Sequence, residues 1–505
     1  MRIADLPAPL REIIAASLRG QAFLPADALE LESALNYGGL AVLADAWQRF
    51  GLDPLLAGLG TKRQQGLLKA MVLGRLLFPC AKLALHEQAE GTALAPICSL
   101  SAGESFDEDD LYEAMDLLNG QWVALERRLY QNAFPGGIRL LLYDLSSVYF
   151  EGKGPDKLGR YGHSSDHRSD RPQILLAVAT DAQGVPVHLE VLRGNRTGNS
   201  TLVGLLATLR RRFGIAEVTF VFDGGMSGTV NLDALTEAQM QFVTRLSNAT
   251  MESLLADLPK EGQLELGDRS QVVEFAQAGK RYVIAGGRWC QQRDEEGRAV
   301  RMAKAEKALG KLAQVKRRKV DEQKLASQAG RLLERLKAHQ YFTYRVDSQG
   351  QLHWERKQGA IDRETQGDGW YLLHTNCPAP TCPKEQVVGH YKGLLAVEEA
   401  FCQLKSFLEV RPVFHRRPDR VRDHVRICFL AYWISARLGR EWRLAGEPGE
   451  VPRILRRLQT IRIGRLNVGE KPVGNLMTKI PKELNELLEK LGLIKLFATL
   501  PDSVL

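Results

Sequence analysis

The sequence has few cysteines, no long hydrophobic run, no internal repeat and no low-complexity tract. Seven cysteines in 505 residues, an odd number with no Cys-x-x-Cys pair, do not form a disulfide framework or a zinc-site pattern, and they favour reduced thiols. The longest apolar runs begin at Ile174 and Ile427 and fall far short of the ~20 residues of a membrane-spanning helix. The first ten residues lack the apolar core of a signal peptide. We therefore expect a cytoplasmic protein.

What is present is an ordinary globular composition, with 44% hydrophobic and 25% charged residues. The length suggests about three domains. The net charge of +8 is unevenly distributed. Residues 1–140 carry 12 basic and 17 acidic residues, whereas residues 381–505 carry 22 basic and 14 acidic residues. Positive charge is therefore concentrated in the second half of the chain. This distribution is compatible with a polyanionic partner and equally with solvated helical faces.

The N-terminal region has the pattern of a helical region. Thr61 is placed to cap a helix, a Pro-containing break follows, and a second helix begins at Lys82. This order fits a helix-turn-helix and also any pair of antiparallel helices. Ser105 and Glu108 have the spacing of a capping box before a further helix that extends to about Asn132.

From Arg139 the pattern becomes that of alternating strands and helices. Three strands are predicted first, the second and third joined by the turn sequence DAQG, and then helix, strand, helix and strand. This is the order of a ribonuclease H-like fold with a mixed sheet. The predicted strands are 139–150, 173–181, 186–194, 217–223 and 241–247.

Residues 255–370 interrupt this pattern. They contain two hairpin-like pieces around a long charged helical stretch, in which residues 301–320 hold eight Lys or Arg and the single acid Glu306. An exposed helical hairpin and a DNA-contacting arm both fit this stretch. The α/β pattern resumes with GWYLLHTN and a helix from about Leu394 to Leu408, and the C-terminal residues again have a helical pattern.

Two carboxylates stand next to apolar strand segments: Asp144 follows LLLY, and Asp223 follows VTFVF. Such positions line the clefts of open α/β sheets, although a cap or turn aspartate has the same pattern. A third acid, Glu398, lies seven residues after Tyr391. In the same segment Leu394 lies three residues and Lys405 fourteen residues after Tyr391. These offsets place all four on one helical face if the helix extends back to Tyr391.

Five segments of the chain carry a recognisable pattern: YDLSSVYFEG, YGHSSDHRSDRPQ, VFDGGM, DGWYLLHTN and YKGLLAVEEAFCQLKSFLEVRPVFH. Together they resemble the DDE transposases of bacterial insertion sequences, in the group marked by a Tyr-Arg-Glu-Lys signature. The resemblance covers roughly residues 60–440. The chain departs from the signature at one position, where Leu394 replaces the arginine.

The resemblance implies a metal-dependent site for cutting and joining DNA. In the family, two aspartates and one glutamate hold two divalent cations, normally Mg²⁺, for which Mn²⁺ can substitute. The residues at these positions are Asp144, Asp223 and Glu398. Hard carboxylate oxygens suit Mg²⁺, and a pair of such ions can activate the attacking oxygen and stabilise the leaving one. The resemblance also implies that Tyr391, Lys392 and Lys405 contact the DNA end.

The resemblance further implies double-stranded DNA as partner, at least a homodimer, and recognition of the terminal repeats by the N-terminal region. Basic residues cluster there at Lys62, Arg63, Lys69, Arg75 and Lys82. A metal-dependent nuclease without strand transfer and an inactive DNA-binding relative remain alternatives. The polar cluster of His163, Asp166, His167, Arg168 and Asp170 fits a surface loop or a second metal site.

The predicted organisation is a ribonuclease H-like catalytic core that is interrupted by an α+β insertion and flanked by helical regions. The predicted regions are 1–135 (helical, DNA-binding and dimerisation), 136–254 (first part of the core), 255–370 (insertion), 371–440 (second part of the core, with the Glu398 helix) and 441–505 (helical C-terminal region).

Overall fold

The computed structural model describes residues 6–20, 29–32, 34–100, 105–256, 272–314, 321–448, 450–469 and 471–498. The chain forms two compact units, each built from separate segments of sequence. The first unit comprises Met1–Thr197, Ala207–Ile215 and Leu395–Leu505, and the second comprises Gly198–Leu206 and Ala216–Leu394. The predicted five-part division along the sequence stays a prediction.

The N-terminal part of the first unit is mainly helical, as predicted. Its elements are α1 (Ala8–Leu18), β1 (Leu29–Leu31), β2 (Leu35–Asn36), α2 (Gly38–Arg49), α3 (Leu52–Leu56), α4 (Lys62–Leu77), α5 (Lys82–Glu90), α6 (Leu94–Ile97), α7 (Glu108–Asp116) and α8 (Trp122–Ala133). The break between α4 and α5 lies where the Pro-containing sequence predicted it.

The predicted cap of α4 is confirmed. The backbone N–H of Gln64 donates to Thr61 Oγ1 at 3.2 Å, and the backbone N–H of Thr61 donates to Gln64 Oε1 at 2.9 Å. This reciprocal pair satisfies two N–H groups that the helix itself leaves without partners.

We expect Thr61→Ala to lower the free energy of unfolding by about 1 kcal/mol, because the Gln64 N–H loses its acceptor. Thr61→Ser keeps the hydroxyl and should remain close to wild type. Urea unfolding followed by circular dichroism measures both. Equal stability of the alanine and serine variants would contradict a role for the hydroxyl.

The capping box predicted from Ser105 and Glu108 is wrong by two residues. Asp107 is the cap of α7, and its side chain accepts from the backbone N–H of Asp110 at 2.9 Å. An aspartate caps as well as a serine, and four acids in succession offer several registers. The single predicted helix is two helices, which are separated by a turn containing Gly120 at φ +78°.

Three antiparallel strands follow in the first unit, at the predicted positions. They are β3 (Leu140–Tyr149), β4 (Gln173–Thr180) and β5 (Pro186–Arg193), with β4 paired to both neighbours. All eight residues of β4 are buried. The predicted DAQG turn joins β4 to β5, and its Asp181 N–H donates to the Val185 carbonyl at 3.0 Å.

The second unit contains five strands of a mixed sheet, in the order β6-β7-β12-β9-β8. The β6 and β7 strands are parallel, and the other neighbours are antiparallel. The predicted strands and hairpins of this region are confirmed. The elements from residue 202 onward are α9 (Leu202–Thr208), β6 (Thr219–Phe222), α10 (Thr229–Glu237), β7 (Gln241–Arg245), α11 (Asn248–Ala256), β8 (Val272–Gln277), β9 (Lys280–Gly286), α12 (Arg288–Ala313), α13 (Glu322–Arg335), β10 (Phe342–Val346), β11 (Leu352–Arg356), α14 (Gln358–Gly367), β12 (Trp370–Thr375) and α15 (Lys384–Lys392).

The predicted insertion has two structural parts. Its β8–β9 hairpin continues the sheet, since β9 pairs with β12 along six residues. The rest, from α12 to β11, packs around a hydrophobic cluster that includes Leu309, Leu333 and Tyr341. The basic stretch 301–320 is helical through Ala313, and residues 315–320 lie outside the described part.

The C-terminal segment completes the first unit. It contains α16 (Leu395–Cys402), α17 (Pro418–Leu444), α18 (Val451–Leu458), β13 (Arg462–Val468), β14 (Lys471–Met477) and α19 (Lys482–Lys490). The helix predicted to start at Pro418 is confirmed, and it packs on α4, α7 and β5. The purely helical prediction for residues 441–505 is wrong, because β13 and β14 form a hairpin to which β1 and β2 add.

The mixed α/β class is confirmed, and the ribonuclease H-like topology stays a prediction. No helix in the described part is both long and apolar enough to cross a membrane. All seven cysteines are free thiols, as expected.

Candidate functional site

Two of the predicted carboxylates belong to the first unit. Asp144 is the fifth residue of β3 and pairs in register with Val178 of β4, so it lies within the strand and not at its end. Glu398 lies in the first turn of α16 and is exposed. Because α16 packs against β3 and β4, the helix that carries Glu398 is supported by the strand that carries Asp144.

The third carboxylate, Asp223, belongs to the second unit. It follows the last residue of β6, where the parallel strand ends, and its side chain is exposed. The Tyr391 hydroxyl donates to Asp223 Oδ1 over a long 3.5 Å. Burial, and secondarily the Asp223 charge, raise the pKa of Tyr391 to about 12, so the phenol stays protonated and can donate at neutral pH.

Tyr391 is held by aromatic and cationic neighbours. Its ring lies 5.7 Å from the ring of Tyr371, between ring centroids, and the Arg245 guanidinium lies 6.0 Å from the Tyr371 ring centroid. Arg245 also acts to lower the pKa of Tyr391, against the larger effect of burial. Sequence reasoning missed Arg245, which ends β7 beside the parallel strand β6.

Lys405 is partly buried and already has a counter-ion. Its ammonium lies 2.9 Å from Asp166 Oδ1, and Arg411 Nη1 lies 2.8 Å from the same oxygen. The side chains of Asp166 and Lys405 are only 5% and 9% exposed. Burial lowers the pKa of Lys405, and Asp166 partly offsets this. The lysine predicted to contact DNA is thus first of all part of an internal ion-pair cluster, which we call the Asp166 cluster.

A pair of serines ties the Asp166 loop to β3. The hydroxyls of Ser165 and Ser147 lie 2.7 Å apart. Ser147 Oγ accepts from the backbone N–H of Ser165 at 2.8 Å, and Ser165 Oγ accepts from the backbone N–H of Ser147 at 3.1 Å. Ser165 Oγ also accepts from Lys405 Nζ at 3.1 Å. Because Ser147 is three residues beyond Asp144, these contacts fix the loop to the strand that carries the carboxylate. Sequence reasoning found Asp166 as part of a polar cluster but missed Ser147, Ser165 and Arg411.

The helix predicted to start at about Leu394 is confirmed, since α16 begins at Leu395. It does not extend back to Tyr391, so the condition for placing all four signature residues on one helical face is not met. A turn at Gly393 and Leu394 separates α15, which contains Tyr391, from α16, which contains Glu398. Leu394 is buried at this turn. Lys392, predicted to contact DNA, is exposed in the last turn of α15.

The N-terminal basic residues form a weaker surface than predicted. Lys62 is exposed, whereas Arg63 Nη2 lies 2.8 Å from Asp110 Oδ2. Lys69 lies over the ring of Trp47 at 5.5 Å. Two members of the predicted cluster, Arg75 and Lys82, are buried. Contact with DNA through Lys62 and Arg63 therefore stays a prediction. Lys69, Arg75 and Lys82 do not enlarge the exposed basic surface around these two residues.

No group of three or more His, Cys, Asp or Glu side chains lies close enough together to hold a metal ion within the ranges that the structure describes. This includes the polar cluster around Asp166, so the second metal site considered there is not seen. In that cluster Arg168 pairs with Asp170 at 2.9 Å, as expected of a surface loop.

One of the comparisons with known proteins identifies the family of this chain. The model of the transposase DDE domain matches residues 135–434, which include both aspartates, Glu398 and the Asp166 cluster. No curated protein matches the sequence. Among solved structures, the cryo-EM structure of a piggyBac transposase synaptic complex with hairpin DNA is similar at a TM-score of 0.40 and 9% identity, over 79% of this chain and 70% of that chain. Since the family model covers more than half of its length, the chain belongs to the transposase DDE domain family.

Proposed function

We propose that this protein is a DNA transposase that cuts the ends of its insertion sequence and joins the freed 3′ ends to target DNA. The observation that carries the proposal is the family match over residues 135–434, within which Asp144 lies in β3, Asp223 directly follows β6 and Glu398 lies in α16. Because two DNA ends must be brought together for joining, the protein is proposed to act on double-stranded DNA as at least a homodimer, in the bacterial cytosol.

The chemistry of these three residues fits divalent cations. Asp223 and Glu398 are exposed, so a hydrated ion can reach their oxygens. Three carboxylates are hard donors of the kind that Mg²⁺ or Mn²⁺ prefers. The residues proposed to hold two Mg²⁺ ions are Asp144, Asp223 and Glu398, and bound ions would polarise the phosphodiester and the attacking oxygen.

The neighbouring side chains have defined tasks in this proposal. Tyr391, kept protonated, donates to Asp223 and orients that carboxylate. Lys392 is exposed and free to approach a phosphate. Lys405 supports the DNA end from within the Asp166 cluster, where its charge is partly neutralised. With Leu394 in the arginine position of the signature, the direct phosphate contact of that arginine is absent.

The test is an assay of cleavage and strand transfer on a labelled duplex that carries the terminal sequence of the element. We expect cleavage and joining with Mg²⁺ or Mn²⁺, and loss of both with excess chelator while duplex binding persists. Cleavage without joined product would indicate a nuclease. Binding without cleavage under every metal condition would indicate an inactive DNA-binding relative, and either result would contradict the proposal.

A further inference from the structure

A surface of basic side chains lies outside the region that matches the family model. Helix α18 has one buried apolar face, made of Val451, Ile454, Leu455 and Leu458. On its opposite face Arg453 and Arg457, one helical turn apart, are exposed. The helix therefore presents arginine outward while the apolar face fixes it to the first unit.

Hydrogen bonds bring two further basic residues to the end of this helix. Thr460 Oγ1 donates to the Arg457 carbonyl at 2.8 Å, which closes the helix just before β13. The backbone N–H of Arg462 donates to Thr478 Oγ1 at 2.9 Å, and the Thr478 N–H donates back to the Arg462 carbonyl at 2.9 Å. Lys479 follows directly, and both Arg462 and Lys479 are exposed. We call Arg453, Arg457, Arg462 and Lys479 the C-terminal basic surface.

In the part of the chain that the structure describes, the charges of this surface have no acidic partner. Within the described ranges, none of its four side chains lies within 4.0 Å of a carboxylate oxygen in an ion pair. The whole segment 451–482 has eight basic residues and one acid, Glu470. Acidic residues lie beside the other end of β13. The strand β1, which contains Glu30, pairs with β13 there, and the Asn467 side-chain amide donates to Glu32 Oε2 at 3.1 Å.

We infer that the C-terminal basic surface binds the phosphate backbone of double-stranded DNA. Four exposed cations without counter-ions repel one another, and phosphates remove that repulsion when they replace condensed salt ions. Contacts of arginine and lysine with phosphates position a protein on the duplex without reading its bases, so the surface contributes affinity and not sequence preference. The inference rests on the proposed function, because it gives the transposase a second contact with DNA outside its DDE domain.

The test measures binding of a duplex of random sequence at several salt concentrations. The variant is Arg453→Gln, Arg457→Gln and Arg462→Gln combined. If all three contact phosphates, the slope of log affinity against log salt falls by about 2.7, at about 0.9 for each contact. Between 50 and 200 mM salt the wild type then loses about 40-fold more affinity than the variant.

Two matched variants separate contact from general charge. The lysine triple variant at the same positions keeps the charge and should bind as wild type. The control variant combines Arg49→Gln, Lys482→Gln and Lys490→Gln, which remove three cations of the same unit that are already ion-paired. This control should keep the wild-type slope.

An unchanged slope in the first variant, or an equal loss in the control, would overturn the inference. Weak binding by the lysine variant would also overturn it, because charge would then not be the cause. A wild type that binds no duplex would instead contradict the proposed function itself. The two failures are therefore distinguishable. Circular dichroism of each variant verifies that the fold is retained.

Discussion

Asp223→Asn, Asp144→Asn and Glu398→Gln are each expected to reduce strand cleavage by about a thousand-fold or more while duplex binding stays within a few-fold of wild type. A catalytic metal site supplies several kcal/mol of transition-state stabilisation, and about 1.4 kcal/mol corresponds to a factor of ten in rate. Each substitution removes one negative charge from the proposed ligand set and leaves the size of the side chain nearly unchanged. Single-turnover cleavage with Mg²⁺ measures the effect.

The chain provides a close control for this experiment. Glu399 is the next residue on α16 and is also exposed, but it is not among the proposed ligands. Glu399→Gln should therefore cleave as wild type. If one of the three variants keeps full activity, that residue is wrongly assigned, and equal loss in the Glu399 variant would indicate damage to the helix.

Asp166→Asn is expected to lower the free energy of unfolding by about 3–5 kcal/mol. The substitution leaves Lys405 and Arg411 side by side without their shared carboxylate, and removing one member of a buried ion pair costs about that much. Urea unfolding at pH 7 measures the change. The Asp166→Asn and Lys405→Met double variant should recover part of the loss, since one buried charge is then removed with its partner.

A second aspartate in the same loop is the control for this prediction. Asp170 pairs with Arg168 at 2.9 Å, but its side chain is 61% exposed. Exposed pairs contribute about 0–1 kcal/mol, so Asp170→Asn should change stability little. If both aspartate variants lose the same small amount, Asp166 does not hold the cluster together.

Local sequence signals predicted much of the fold, because their causes are local. The Thr61 cap, the apolar run of β4 and the DAQG turn each depend on neighbouring residues only. The β13–β14 hairpin was missed because it contains basic residues and glycines in place of an apolar alternation, and Ile463 and Gly464 are the buried residues of β13. The start of α16 agrees with the predicted start at about Leu394. The offsets of the signature could not show whether Tyr391 shares that helix, because a turn of two residues leaves the spacing in the sequence unchanged.

In the candidate site too, local sequence signals predicted some residues and missed others. Residue type and flanking strand pattern pointed to Asp144 and Asp223, and both lie on the predicted strands or at their ends. The partner of Lys405 could not be found this way, since Asp166 is 239 residues distant in sequence and the pairing depends on tertiary structure. One signal was available: the segment that contains Ser165 and Asp166 was among those that resemble the family.

The strand order of the second unit constrains how the chain folds during synthesis. The β12 strand lies between β7 and β9, yet it is the last of the five strands to leave the ribosome. Until Trp370–Thr375 emerges, β7 and β9 each have an open edge, and such edges pair with other chains. The cluster around Leu309, Leu333 and Tyr341 uses nearby residues and can form earlier. A chain truncated just before β12 should therefore aggregate, although most of its second unit has been made.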